Sequence, residues 1–187
     1  MSSPATMPVL FTVEDLNRMI GAGVFVGRPD RIELIEGVLR MMSPATEEHD
    51  DVIQYLIDWS QHVASGRYRI GSQRGIRLLK SESMPEPDVF WIDAAHRRGR
   101  PTSKVIPLVI EVAVTSMDHD LVTKQRLYAI EQIAEYWVVA PDTETVIVHR
   151  EPVGERYGKV ETICIGQSVS PICIPEASLD LNWLFRE

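Results

Sequence analysis

Pro107-Leu-Val-Ile-Glu-Val-Ala-Val-Thr-Ser-Met-Asp-His-Asp-Leu-Val-Thr-Lys-Gln-Arg-Leu-Tyr128 is the stretch on which the fold turns. Its first part, 108–114, is an apolar run of strand length interrupted once, by Glu111. Such a run reads as a strand covered on both faces. An isolated carboxylate in that setting is expensive, so a metal ion or a charged partner is expected beside it. A polar turn, Thr115-Ser116-Met117-Asp118, leads into a helical pattern with Met117, Leu121, Leu127 and Tyr128 as its apolar stripe. Lys124 falls inside that stripe, because positions 117, 121, 124 and 128 share a face at the 3.6-residue period. Strand and helix therefore each aim one charge inward, of opposite sign, and that pairing suggests a site.

The next core strand is Glu135-Tyr-Trp-Val-Val-Ala140. Joined to 108–114 through a helix, it predicts a right-handed parallel crossover. Further strands are expected at 146–149, 160–164 and 168–174. The apolar tail Leu179, Leu181, Trp183, Leu184 and Phe185 either packs on the fold or forms a dimer contact.

Upstream, short strands are expected at 67–72, 75–79 and 87–92, with Ser81–Pro87 as a loop. Asp88 is the last polar group before Val89-Phe90-Trp91-Ile92. An Asp there can satisfy a loop amide, and it can equally be a metal carboxylate. Residues 94–106 read as a polar, basic loop that includes Arg97 and Arg98. Near the N-terminus, Thr12-Val-Glu-Asp15 resembles a capping box that opens a short helix closed by Gly21 and Gly23. Residues 31–42 read as a hairpin turning at Glu36-Gly37. On its first strand Glu33 has apolar neighbours; it is either an exposed strand residue or part of the site. A second helix takes its apolar face from Val52, Ile53, Leu56, Ile57, Val63 and Ala64. His49 lies on that face in the first turn, as a packed residue or as a phosphate contact or proton carrier.

Composition bounds the rest. The chain has 187 residues, 44% apolar and 25% charged, enough for one domain, 1–187, with a real core. Residues 1–9 are expected to be flexible and 179–187 to form a C-terminal tail. No apolar run approaches the ~20 residues of a membrane helix, and no export signal is evident. The cytoplasm follows as the expected compartment. Cys164 and Cys173 read as buried thiols rather than as a disulfide or zinc framework. The net charge of −8 argues against nucleic-acid binding by bulk electrostatics. Residues 67–104, however, hold nine Lys and Arg against four acids, a local +5. That segment is either a solvated surface or a place to meet phosphate.

Asp88, Glu111 and Lys124 thus fall at a strand entrance, in mid-strand and on the following helix. Two carboxylates from adjacent strands make an oxygen-rich site suited to Mg²⁺ or Mn²⁺, with a lysine to stabilise developing charge. No thiolate or multi-histidine cluster suggests zinc, and no Gly-rich phosphate loop or Gly-x-Ser-x-Gly elbow is present.

The ordered set Glu33-Leu-Ile-Glu-Gly37, Ser43-Pro44 with His49, Pro87-Asp88-Val89, Val109-Ile-Glu111-Val112, Asp120 with Lys124 and Tyr128, and Glu135-Tyr-Trp137 resembles the Uma-type restriction-endonuclease family. That family belongs to the PD-(D/E)xK nuclease superfamily, and the resemblance covers roughly residues 10–185. It implies an α/β, restriction-endonuclease-like core: a mixed β-sheet flanked by helices, with extra β-hairpins. It also implies a Mg²⁺-dependent phosphodiester hydrolase site; the expected reaction is cleavage of DNA, with Mg²⁺ or Mn²⁺ as the ion. Asp88 and Glu111 would be the metal carboxylates, Glu33 a third acid and Lys124 the catalytic lysine. His49, Ser43, Arg97 and Arg98 are candidate substrate contacts. The superfamily lysine should stand two residues after the acid, where this chain has Ala113; the resemblance places it instead at Lys124. A homodimer is expected from the apolar tail and exposed edge strands. Two other functions stay open: a nuclease-fold binding or regulatory module without turnover, and a metal-dependent hydrolase of RNA or nucleotides.

Overall fold

The computed structural model describes residues 7–27, 31–42, 46–64, 66–114 and 119–186, apart from the side chains of 119–121. The expectations for residues 1–6, for Ser43 and Pro44, for the turn at 115–118 and for the side chains of Asp120 and Leu121 lie outside the described residues.

Helix α1 (Val13–Gly21) opens with the expected capping box, Thr12 and Asp15 each serving the other's backbone. Strands β1 (Ile32–Ile35) and β2 (Val38–Met41) pair as an antiparallel hairpin. Its two-residue turn has φ of 50° at Glu36 and 78° at Gly37, the primed geometry whose twist matches the flanking strands. Helix α2 (Glu47–Val63) follows, capped by the Thr46 hydroxyl. Next come β3 (Tyr68–Ser72), β4 (Val89–Asp93), β5 (Leu108–Val112), a π-helical turn (His119–Lys124) running into α3 (Gln125–Ile130), and β6 (Glu135–Ala140). Strands β7 (Thr145–Val153) and β8 (Arg156–Cys164) form a long hairpin. Short strands β9 (Ser168–Val169) and β10 (Leu179–Asp180) pair with each other before α4 (Leu181–Leu184).

The six strands β3 to β8 lie in sequence order in one sheet. Every pairing is antiparallel except β5 with β6, which is parallel. The mixed sheet follows from the chain: a helical crossover between β5 and β6 gives a parallel pair, while the connections at 73–88 and 94–107, which contain no α-helix, and the short turns after β6 and β7 return antiparallel. Both faces are covered. On one, Val52, Ile53, Leu56 and Trp59 of α2 pack with Val89, Trp91, Ile110 and Trp137 and with the tail residues Leu179, Leu181 and Leu184. On the other, Leu127, Tyr128 and Ala129 of α3 pack on Phe90, Val109, Tyr136 and Val138. The tail is therefore packed on the fold, with Trp183 left exposed.

Three local expectations are corrected. Residues 75–79 form no strand; Ile76 and Leu78 alternate as a strand would, but they cover the α3 face, and the segment is held by single bridges from Arg77 to Thr102 and from Leu78 to Ser83. The 168–174 segment pairs only at Ser168–Val169. Cys164 is exposed because β8 is an edge strand with most of its side chains in water, and Cys173, in the turns after β9, is partly exposed. Among the described residues no helix is long and apolar enough to cross a membrane.

Candidate active site

Strand β5 carries Glu111 on the α3 face, since Leu108, Ile110 and Val112 face α2 and Val109 faces α3. Strand β4 alternates in the same way and puts Asp88 on that face as well. Val89 pairs with Ile110 and Phe90 with Val109. One step further along the same register sets Asp88 across from Glu111, and opposed residues on neighbouring strands hold their Cβ atoms about 4.5–5.5 Å apart. The Asp88 Oδ2 accepts the Val112 N–H at 2.8 Å, so the residue after Glu111 holds the carboxylate of Asp88 in place.

Lys124 ends the π-helical turn and sends its ammonium back over the sheet. Its Nζ lies 3.0 Å from Glu111 Oε1 and 3.8 Å from Glu33 Oε1. One turn later, Tyr128 donates its hydroxyl to the same Glu111 oxygen at 2.7 Å. Burial first, and then the Glu111 charge, hold the Tyr128 phenol well above its ordinary range, so it stays a neutral donor. Residues 124 and 128 share a helical face, and a π turn just before them is a common way to re-aim a side chain at a functional site.

Glu33 comes from β1. The hairpin is seated by backbone bonds between Leu34 and Met84, by Ile35 in the α3-side core and by the Arg126–Glu36 ion pair. Glu33 Oε1 accepts the Glu86 N–H at 2.9 Å. Glu33, Asp88, Glu111 and Lys124 are 4%, 6%, 1% and 5% exposed, which rules out the exposed-strand reading of Glu33.

His49, in the first turn of α2, reaches round the end of the sheet. Its Nε2 is 3.3 Å from Asp88 Oδ2. The hydrogen bond to Asp88 raises the imidazole above its ordinary value, against the lowering by partial burial. It is half-buried and bonded to a site carboxylate, not packed in the α2 core.

The structure thus brings together Glu33, Asp88, Glu111, Lys124 and His49. It does not bring Arg97 and Arg98 to them. Those arginines are exposed in the turn after β4, whereas Asp88 precedes that strand, and five residues of strand span about 17 Å. The sequence reading placed Tyr128 in the apolar stripe and in the family pattern without giving it a polar role; its spacing of four from Lys124 was the available signal.

The donor set bears on which cation could be held here. Among the described residues no group of three or more His, Cys, Asp or Glu is placed to hold a metal ion. The Lys124 ammonium lies 3.0 Å from Glu111 Oε1 and 3.8 Å from Glu33 Oε1. Asp88 and Glu111 remain, opposed and all-oxygen. That fits Mg²⁺, which takes one or two carboxylates and fills its shell with water and phosphate.

No curated protein matches the chain. Among solved structures, a crystal structure described as a putative nuclease belonging to DUF820, from Anabaena variabilis ATCC 29413, superposes with a TM-score of 0.72 at 17% identity. The match covers 94% of this chain and 97% of that one, and at this identity it speaks for a shared fold, the restriction-endonuclease-like one. A family model, Uma2, described as "Putative restriction endonuclease", matches residues 13–182. The matched span runs from α1 to the start of α4 and includes every residue of the carboxylate–lysine cluster: the chain belongs to the Uma2 family.

Proposed function

We propose that this protein hydrolyses DNA phosphodiester bonds with Mg²⁺, or Mn²⁺ in its place, held by Asp88 and Glu111. One observation supports the reading above the others. Three buried carboxylates, Glu33, Asp88 and Glu111, gather at one end of the sheet with a single lysine, a formal −2 among the four groups. Excess buried negative charge of that kind attracts a small, hard cation. Such an ion, when bound, polarises the phosphate and eases ionisation of an attacking water.

The chain's own groups then have distinct roles. The Val112 amide and His49 fix the Asp88 carboxylate. Tyr128 fixes Glu111 without adding charge. Lys124, 3.0 Å from Glu111, offsets negative charge that builds on the phosphate oxygens. Incubation of the full chain with supercoiled plasmid and Mg²⁺ or Mn²⁺ tests the proposal. Nicking is expected, and cutting no greater than that of Asp88→Ala overturns it.

A second reading, a nuclease-fold module that binds its partner without turnover, is favoured by one specific observation. The Lys124 ammonium already neutralises Glu111, and no described group of three ligands surrounds it. Calorimetry separates the two: heat of Mn²⁺ binding that disappears in Asp88→Asn supports the hydrolase, and its absence in the wild type supports the module.

A further inference from the structure

The basic segment 67–104 carries four acids, and each is engaged away from the arginines at its centre. Glu82 accepts the Val13 N–H at 2.8 Å, and Glu86 accepts Arg31 at 3.0 and 2.9 Å. Asp88 belongs to the site, and Asp93 accepts the Ala95 N–H at 2.8 Å. Arg31, Arg67, Arg126 and Arg150 all find carboxylates. Among the described residues Arg69, Arg74 and Arg100 have none within 4.0 Å.

Those three guanidiniums lie close together. Arg74 sits over the Phe90 ring, 5.6 Å from its centroid. Phe90 in turn lies flat on β3, where a Cβ at Gly71 would stand 2.3 Å from its ring. Arg100 Nη1 is beside Gly75, 2.6 Å from where a Cβ there would be. Arg69 donates to the His96 carbonyl at 2.7 Å. Partial desolvation and the Arg69 and Arg100 charges hold the Arg74 guanidinium below its ordinary value. Like charges without counter-ions repel, so their grouping disfavours the free protein and favours a polyanion laid across them.

Their position relative to the carboxylates is set by β4. Phe90 is two residues from Asp88, about 7 Å of strand, and faces the same way. Arg69 pairs in register with Ile92, two residues further on. Arg97 and Arg98 continue the line past His96. Phe90 is fully buried beneath Arg74, so this surface offers phosphate contacts and not a ring on which unpaired bases could stack.

We propose that Arg69, Arg74 and Arg100 form a track that grips the phosphate backbone of duplex DNA and leads it to Asp88 and Glu111. The inference rests on the reading of DNA as the substrate of that site. The test is anisotropy of a short labelled duplex with the full chain across a salt series, comparing the wild type with Arg69→Gln/Arg74→Gln/Arg100→Gln. Each lost phosphate contact removes about 0.9 from the slope of log affinity against log salt, so a fall of about 2.7 is expected. Circular dichroism checks the fold of the triple variant. Arg74→Gln alone, at an exposed position, should lose about 0.9 and keeps the test decisive if the triple variant does not fold. Arg156→Gln/Lys159→Gln on the β8 edge is the control and should leave the slope unchanged.

An unchanged slope in the arginine variants, an equal fall in the control, preference for single-stranded RNA, or no duplex binding by the wild type each overturns the track. Manganese-dependent hydrolysis of a small aryl phosphodiester keeps the two readings apart. Should the wild type hydrolyse it while duplex binding ignores the arginines, the track fails and the hydrolytic site stands. Should duplex binding need the arginines while no substrate is cut, the track stands and the hydrolytic site fails.

Discussion

Replacing Lys124 with Met removes the positive charge at the centre of the site while keeping most of the side-chain volume. At an effective dielectric constant near 20, unit charges 3.0 Å and 3.8 Å apart attract by roughly 5.5 and 4.4 kcal/mol, before the cost of taking them out of water. What survives that cost is seen when one partner of a buried pair is removed, a loss of about 3–5 kcal/mol. Glu111 and Glu33 would be left facing each other with almost no access to solvent. For a chain of this size about 2–4 °C of midpoint accompanies each kcal/mol, so Lys124→Met should melt about 6–20 °C lower. The carboxylates can then be recompensated. Mn²⁺ at a hundred times its dissociation constant returns about 2.7 kcal/mol, and it should stabilise Lys124→Met more than it does the wild type. Adding Glu33→Gln to the variant should recover part of the loss by removing the repulsion. Urea and thermal melts at neutral pH, with and without Mn²⁺, read all three. A loss below about 1 kcal/mol, with no greater response to Mn²⁺ than the wild type shows, would refute the reasoning, since a buried lysine between two carboxylates cannot be so cheaply removed.

Two other substitutions test features away from the charge cluster. Burial holds the His149 imidazole below its ordinary value, and the ring stacks on Tyr136 at 5.3 Å. The unfolded chain therefore takes up this proton at higher pH than the folded one. The His149 contribution is whole above about pH 6.5 and is lost as pH falls through the depressed folded value. Urea midpoints should decline on acidification, and His149→Phe should flatten that decline; identical pH profiles count against it. Gly71→Ala places a methyl against the buried Phe90 ring and should cost about 1–3 kcal/mol by overpacking. A urea midpoint equal to that of the wild type would show that the ring can move aside.

The sequence was most legible where one physical requirement dominated. An apolar strand with a lone acid had to be buried and compensated, and Glu111 is both. A helix between two core strands had to make a parallel pair, and β5–β6 is that pair. Glu36-Gly37 had to turn tightly, and both residues take positive φ. It was least legible where alternation had two physical causes. Ile76 and Leu78 cover the sheet instead of joining it, and period-two patterning cannot tell the cases apart. The length of β7 and β8 was hidden because the outer part of the hairpin, about 150–160, lies largely in water and carries polar residues on both faces. Arg97 and Arg98, expected as substrate contacts from local charge, lie at the far end of β4 from the carboxylates, a distance that charge alone does not reveal. The polar role of Tyr128 was masked because one side chain serves the core with its ring and the site with its hydroxyl.

Helix α2 has its first turn at the site and its last in a cluster of indoles. His49 touches Asp88, while ten residues on, about 15 Å along the axis, Trp59 lies against Trp91 at 5.6 Å and Trp137 at 5.8 Å. A rigid rod with those two ends makes the protein its own optical reporter. A docking event that tilts the first turn is expected to change ring overlap at the other end, and native emission would then register binding at the carboxylates without an attached dye.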